Sequence, residues 1–297
     1  MRRQPKDTTA TDQFLWPDLP GATERLVAGE IPHTTGTDIL TAWSRDGYAI
    51  LDQAAAGPAP DGFLRDMQAA LNAPESDIKM TYWDETGHHF TAAKANLLHN
   101  KEAKVLDLHT RLASAHELIF APAILDFLTD VFQDDAVAFQ SLYFENGSQQ
   151  GSHQDTAFVY VEPPYQFAAS WIALEDIVPG TGELFYYPGS HKMDDLIFAQ
   201  NTKALRPGDP DGPGYSASLE QIVTEHGLER KLLHIPKGTA LMWAADLVHG
   251  GAPIQTPHTR RSLVTHYAPK STVIPYQPDP GRPLREVRKR GWVVGAH

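Results

Sequence analysis

From Asp134 onward the chain consists of short runs of strand-forming residues, and no other feature limits its possible folds as strongly. The runs are Ala138 to Glu145, Thr156 to Val161, Phe167 to Leu174, Glu183 to Tyr187, Lys231 to Ile235, Thr239 to Trp243 and Ser262 to Tyr267. Turn-forming pairs, Asn146-Gly147, Pro188-Gly189 and Lys237-Gly238, separate several of them. Ahead of these runs the periodicity is helical. Phe63, Leu64, Met67, Ala70 and Leu71 share one helical face, and Ile124, Leu125, Leu128, Val131 and Phe132 repeat that spacing. A helix capped at Thr37-Asp38, carrying Ile39, Leu40 and Trp43, stops near Gly47, and Tyr48 to Leu51 reads as a strand. Helices followed by many short strands describe an α+β domain whose β part is a barrel or jelly roll, with the apolar helix stripes covering one sheet.

This divides the chain into an irregular arm over residues 1–36, rich in Pro, Thr and Gly, and a single domain over 37–297. Within that domain the helical part spans about 37–134 and the β core about 135–270. Residues 191–229 interrupt the β pattern with Arg206-Pro207-Gly208-Asp209-Pro210-Asp211-Gly212-Pro213-Gly214, a long insertion of the kind that forms lids and binding loops.

Composition narrows the chemistry. The sequence contains no cysteine, which excludes disulfides, thiolate zinc sites and iron–sulfur clusters, whereas 14 histidines are available as metal ligands. A formal charge of −12 repels phosphate backbones, and the longest basic cluster, Arg285 to Arg290, is short, so nucleic acid is not an expected partner. The N-terminus lacks the apolar run of a signal peptide and no segment is long enough to span a bilayer, so the expected location is the cytoplasm, without membrane association.

His153-Gln154-Asp155 opens a strand-like run, where residues i and i+2 project to one face, so an imidazole and a carboxylate can reach one ion. A third ligand is expected from His249, which follows the apolar Ala240 to Trp243 and precedes the flexible pair Gly250-Gly251. Two histidines and one carboxylate on one face of an octahedral ion leave three positions open, as non-haem Fe(II) oxygenases require. The His-x-Asp pair alone is equally satisfied by a His and an Asp bonded to each other in a turn. Eleven residues beyond His249, Arg260 and Ser262 share a strand face and can grip a carboxylate jointly, while Arg261 points the other way as a surface charge. The ordered series is far more specific than any one member.

These motifs, with Trp171 in Ser170 to Asp176 and the stretch Tyr187-Pro188-Gly189-Ser190-His191-Lys192, resemble the phytanoyl-CoA dioxygenase family of Fe(II)/2-oxoglutarate oxygenases over roughly residues 95–269. The resemblance implies a double-stranded β-helix (jelly roll, cupin-like) core with N-terminal helices packed on one sheet. It implies iron held by His153, Asp155 and His249, with 2-oxoglutarate and O2 as cosubstrates. Arg260 and Ser262 would hold the far carboxylate of 2-oxoglutarate, with Trp171, Gln140 and Lys104 near the cosubstrate. Gly251 stands where some relatives carry a serine, so a hydroxyl contact is lost that Ser262 would replace. An intact Asp155 argues against halogenation, which needs the carboxylate position for chloride.

Of the remaining histidines, His266 lies on the face of Arg260 and Ser262 and would support the ligands. His88, His89 and His99 lie in the region expected to reach the mouth, and His191 shapes a turn. The expected activity is hydroxylation of a C–H bond in a polar small molecule, with release of succinate and CO2; desaturation, cyclisation and epimerisation are alternative outcomes of the same chemistry. Two other classes stay open at this point, a non-redox metal-dependent isomerase or lyase of cupin type and a binding module without turnover.

Overall fold

In the computed structural model the described residues are 1–74, 76–206, 208–275 and 283–294. The first 36 residues pack on the rest of the chain and contain regular structure. Strand β1 (Arg2–Gln4) is followed by two 3-10 turns and the short helix α1 (Ala22–Val27). Helix α2 (Thr37–Asp46) ends on Gly47 at φ 77, the left-handed cap that glycine tolerates, and its N-cap is Gly36 rather than Thr37. Strand β2 (Tyr48–Leu51) and helix α3 (Ala59–Asn72) follow as the periodicity predicts.

The expected helical half departs from expectation next. It contains the hairpin β3 (Lys79–Asp84) and β4 (Gly87–Ala92) and the strand β5 (Lys101–Leu106) before helices α4 (Ala113–Ile119) and α5 (Pro122–Phe132). Their faces are mixed in polarity, so they give no apolar run; pairing with one another and with β6 makes them strands.

The β-rich half runs β6 (Ala136–Phe144), β7 (Ala168–Ala173), β8 (Leu184–Tyr186) and β9 (Asp195–Ile197), then helix α6 (Tyr215–Glu225), then β10 (Lys231–Leu232), β11 (Ala240–Ala244), β12 (His249–Gly251) and β13 (Ser262–Pro269), with the hairpin β14 (Leu284–Arg288) and β15 (Gly291–Val294). One large sheet has the order β2-β11-β7-β13-β6-β5-β3-β4, and a small sheet has the order β10-β8-β12. The predicted strand at Thr156 to Val161 is absent. Asp155–Ala157 forms a 3-10 turn instead, because the backbone there folds back, with the Phe158 and Val159 amides donating to the Asp155 carbonyl. The 191–229 insertion holds β9, which pairs with β1, and α6, whose Leu219, Ile222 and Val223 share a core with Phe185 and Val248.

Strand alternation divides the large sheet between two cores. Ala168 and Ile172 of β7, Ala240 and Met242 of β11 and Leu263 of β13 face the helices, where Phe63, Met67, Ile124, Phe127 and Leu128 cover them. Ala169, Trp171 and Ala173, Leu241 and Trp243, and Val264 face the interior of the roll, against Leu184 and Tyr186 of the small sheet. Both faces are buried, which is why these strands read as apolar runs rather than alternating ones. Truncating a residue such as Phe127 to alanine costs about 3–5 kcal/mol.

Candidate metal centre

His153 and His249 face each other as partners in an antiparallel bridge: the His153 amide donates to the His249 carbonyl at 2.9 Å and the His249 amide returns the bond at 3.0 Å. Their rings therefore lie side by side, with centroids 4.2 Å apart. Gln154 is extended (φ −111, ψ 140), so Asp155 projects to the side of His153 before the chain turns. Asp155 Oδ1 lies 3.8 Å from His153 Nε2 and 3.6 Å from His249 Nε2. One donor atom from each residue falls within 4.8 Å of the others, and all three residues are buried.

The other polar atom of each ligand is occupied. His153 Nδ1 donates to the Gly151 carbonyl at 2.9 Å and His249 Nδ1 to the Leu247 carbonyl at 2.9 Å, which leaves both Nε2 lone pairs directed at the common point. Asp155 Oδ2 accepts the Trp243 indole N–H at 2.7 Å and lies 3.2 Å from His266 Nε2, leaving Oδ1 for the ion. Burial, reinforced by neighbouring His249, pushes the His153 imidazole down to about 3, so it is neutral and able to ligate near pH 7. Burial alone would raise Asp155, but the His249 and His266 imidazoles more than offset it and hold the carboxyl well below its usual range. The nitrogen and oxygen donors, the missing thiolate and the one-sided arrangement fit Fe(II) with open positions.

Arg260 occupies the far wall of the cavity, 2% exposed. Its Nη1 donates to the Gly182 carbonyl at 3.0 Å and its Nη2 lies 3.5 Å from Ser262 Oγ, while Nε is buried with no partner. No carboxylate among the described residues forms an ion pair with it, and burial pushes the guanidinium down to about 10. The Trp171 ring lies 5.2 Å from the guanidinium and Phe144 5.8 Å, a cationic slot walled by aromatic faces. Arg261 points to the opposite side and is paired with Glu145 at 2.8 Å, the arrangement expected for adjacent strand residues.

Lys104 of β5 lines the same cavity, whose volume is about 60 Å3, and desolvation lowers its ammonium pKa. His266 reaches Asp155 as the strand face implied. Gln140 pairs across the strand with His266 but is not among the residues that line the cavity. His88 packs against Trp83, His89 stacks on Tyr82 and bonds Asp84, and His99 faces Asn146; none belongs to the cavity wall. His191 sits in the 3-10 turn Ser190–Lys192, its ring against Gly47.

Sequence reasoning missed Trp243, read there only as strand, although its alternation with Leu241 already places the indole inside. It also misread Gly250-Gly251, which are not a flexible link but strand β12. A Cβ at Gly250 would lie 2.7 Å from the Gln150 carbonyl and one at Gly251 2.7 Å from the Gln149 amide, so close backbone approach requires glycine at both. Ser148 Oγ lies 2.6 Å from where a Gly251 Cβ would be, and Ser148 lines the cavity. The hydroxyl missing at 251 is thus present nearby from Ser148, on a loop whose position no local pattern reveals.

Fold and site together define a jelly-roll metalloprotein with an α+β, cupin-like architecture and a two-histidine, one-carboxylate centre. The chain belongs to the phytanoyl-CoA dioxygenase family: residues 43–262 match Phytanoyl-CoA dioxygenase (PhyH). The match starts in α2, well ahead of the region where the motifs are concentrated. The chain is 25% identical over 161 residues to Phytanoyl-CoA dioxygenase domain-containing protein 1 of Rattus norvegicus, covering 51% of this chain and 53% of that protein. It thus spans about half the length of the curated relatives it matches. Similar solved structures include SnoN, the non-heme alpha ketoglutarate dependent epimerase from nogalamycin biosynthesis (TM-score 0.59, 18% identity, 93% of this chain and 96% of that one). EctD from S. alaskensis, solved with 2-oxoglutarate and 5-hydroxyectoine, superposes with TM-score 0.58 at 18% identity over 84% of this chain and 82% of its own. At this identity the two likenesses concern the fold.

Proposed function

We propose that the protein is an Fe(II)- and 2-oxoglutarate-dependent dioxygenase that hydroxylates a C–H bond of a polar small molecule, with release of succinate and CO2. The observation that carries this reading is the pairing of the centre with Arg260, a buried guanidinium in the same cavity that has no carboxylate partner of its own. A buried cation whose nearest carboxylates, Glu183 and Glu175, act only at a distance is costly, and a dicarboxylate chelating the ion at one end relieves it at the other. A metal used only as a Lewis acid has no need of that residue.

His153, Asp155 and His249 would hold the iron, and the iron with 2-oxoglutarate and O2 supplies the oxidising chemistry. Arg260 and Ser262 would orient the cosubstrate through its far carboxylate, Trp171 would wall it, and Lys104 and Ser148 would add a charge and a hydroxyl at the cavity edge. Trp243 and His266 hold Asp155 so that one carboxylate oxygen stays directed at the ion. Gln140, opposite His266, would act through that residue rather than on the cosubstrate. The apolar strands around the slot exclude water.

Substrate would enter past Phe158, which is 50% exposed and packs edge-on against the His153 ring at 5.7 Å. Polar neighbours at the cavity edge, Gln150 and Lys104, support a polar substrate. Among the described residues no helix is long and apolar enough to cross a membrane. The test is anaerobic addition of 2-oxoglutarate to the Fe(II)-loaded protein. A weak visible charge-transfer band of the chelated keto acid is expected, and its absence with iron bound refutes the assignment. A succinate-release screen over polar metabolites then identifies the substrate.

A further inference from the structure

Outside the cavity that holds the ligands and Arg260 lies a cluster of buried charges that the proposed chemistry does not use. Asp246 is at its middle, three residues before His249. Its Oδ2 is 2.6 Å from Lys6 Nζ and 2.8 Å from Lys203 Nζ, and its Oδ1 accepts the Thr156 hydroxyl at 2.5 Å. Its backbone carbonyl accepts the Gln154 side-chain amide at 2.8 Å. Gln154 and Thr156 flank Asp155 on both sides. One residue therefore ties the segment bearing His153 and Asp155 to the segment bearing His249.

The cations on Asp246 come from the N-terminal arm, for which the sequence offered no role, and from the insertion, which it read as a lid or binding loop. Lys6 belongs to the N-terminal arm, delivered by β1, whose Gln4 lies opposite Asp195 of β9. Lys203 belongs to the insertion and also bonds Asp195 at 2.6 Å, and Tyr165 donates its hydroxyl to the same carboxylate. Two lysines thus face two aspartates, and the Lys6 and Lys203 side chains are only 10% and 9% exposed. The insertion braces the ligand segment at three further points. The Gln154 amide donates to Tyr215 Oη at 3.1 Å, the Leu205 amide donates to the Ala157 carbonyl at 2.8 Å, and Ser152 bonds Glu220.

We infer that the arm and the insertion form a latch that positions the metal ligands through Asp246, with Lys6 and Lys203 as positioning residues. The inference rests on the metal-centre reading above. Removing one lysine leaves a buried carboxylate uncompensated, and Asp246 then reorients toward its remaining partners, pulling on Thr156 and Gln154 beside Asp155. Outer-shell partners of this kind change metal affinity by about 10–100-fold.

The sign of the effect separates positioning from a field effect. An unpaired carboxylate behind the site would by charge alone tighten binding of a divalent cation, whereas lost positioning loosens it. The experiment is titration of full-length apo-protein with Co(II), which accepts imidazole and carboxylate ligands and reports their geometry through its visible absorption. Lys6→Met is expected to raise the Co(II) Kd at least tenfold and to shift the absorption band, well below its unfolding temperature. Arg3→Ala, which removes the exposed Arg3–Glu225 pair on the same arm, is expected to leave both within twofold of the unmodified protein. Lys203→Met carries the same expectation as Lys6→Met and stands in for it if that variant does not fold. Unchanged or tighter Co(II) binding in the lysine variants overturns the latch, as does an equal loss in Arg3→Ala. Failure of the unmodified protein to bind Co(II) instead overturns the metal-centre reading itself.

Discussion

Arg260→Ala is the perturbation whose outcome the structure specifies most tightly. The guanidinium has five N–H donors, of which the protein engages one well, at the Gly182 carbonyl, and one at the 3.5 Å limit, at Ser262. The remainder are available for a bidentate grip on a carboxylate, in a slot shielded from solvent. Each charge-assisted bond contributes about 1.5–3 kcal/mol, and truncating one side of a buried charge pair costs about 2–5 kcal/mol. A loss of about 3–5 kcal/mol corresponds to a rise in the 2-oxoglutarate Kd of roughly a hundredfold to a few thousandfold. Arg261→Ala breaks a partly exposed pair with Glu145 on the opposite face, worth about 1 kcal/mol or less, and should change the Kd less than about threefold. The assay is anaerobic titration of 2-oxoglutarate into each Fe(II)-loaded variant, followed by the charge-transfer absorption. Stability without ligand provides a second reading with a contrasting sign. Arg260→Met removes an unpaired buried cation and should hold or raise Tm, whereas Arg261→Ala should lower it. Equal losses of affinity in the two alanine variants would mean the strand register is off by one residue, and an unchanged Kd in Arg260→Ala would refute the clamp.

Trp243→Phe keeps an aromatic ring but deletes the donor to Asp155 and leaves a cavity, so the Co(II) Kd should rise about tenfold or more while Tm also falls; an unaltered Kd would show that Asp155 does not depend on the indole. Gly251→Ala forces a Cβ to 2.7 Å from the Gln149 amide and should cost about 1–3 kcal/mol in urea unfolding, and a neutral result would contradict the close approach. Ser148→Ala should weaken 2-oxoglutarate but not Co(II), measured by the two titrations above; equal weakening of both would place the hydroxyl in a purely structural role. Burial raises Asp18 to about 7, with Lys6 lowering it and Asp246 raising it, so the folded state retains a proton that the unfolded chain releases near 4. That contribution to stability is full below about pH 4 and disappears as pH rises through about 7, so Asp18→Asn should raise Tm at pH 8 and leave it unchanged at pH 4. A Tm gain independent of pH would refute the protonated carboxyl.

Much of the site was legible because its members sit on strands or on extended backbone beside them, where side-chain direction follows from parity. Arg260 and Ser262 share a face, Arg261 opposes them, and His266 follows on the inner face, as β13 shows. The helical period did the same for the helices, since Phe63 to Leu71 and the apolar positions of α5 cover the sheet at the predicted spacing. It failed where backbone geometry was not periodic. Thr156 to Val161 had strand-like composition but became a 3-10 turn, and β3, β4 and β5 had mixed faces that acquire meaning only by pairing.

Taken alone, the sequence determined which residue types are available and which strand neighbours share a face: His153 with Asp155, Arg260 with Ser262, and the fold class that puts them in a roll. These are short-range consequences of a two-residue repeat. Tertiary structure decided everything that depends on segments distant in the chain. It made His153 and His249 bridge partners, placed the Trp243 indole on Asp155, set Ser148 beside Gly251, and brought Lys6 and Lys203 together on Asp246. The physical reason is that local sequence sets the direction of a side chain, whereas the partner it meets depends on how the sheets close and which chain segment packs behind them.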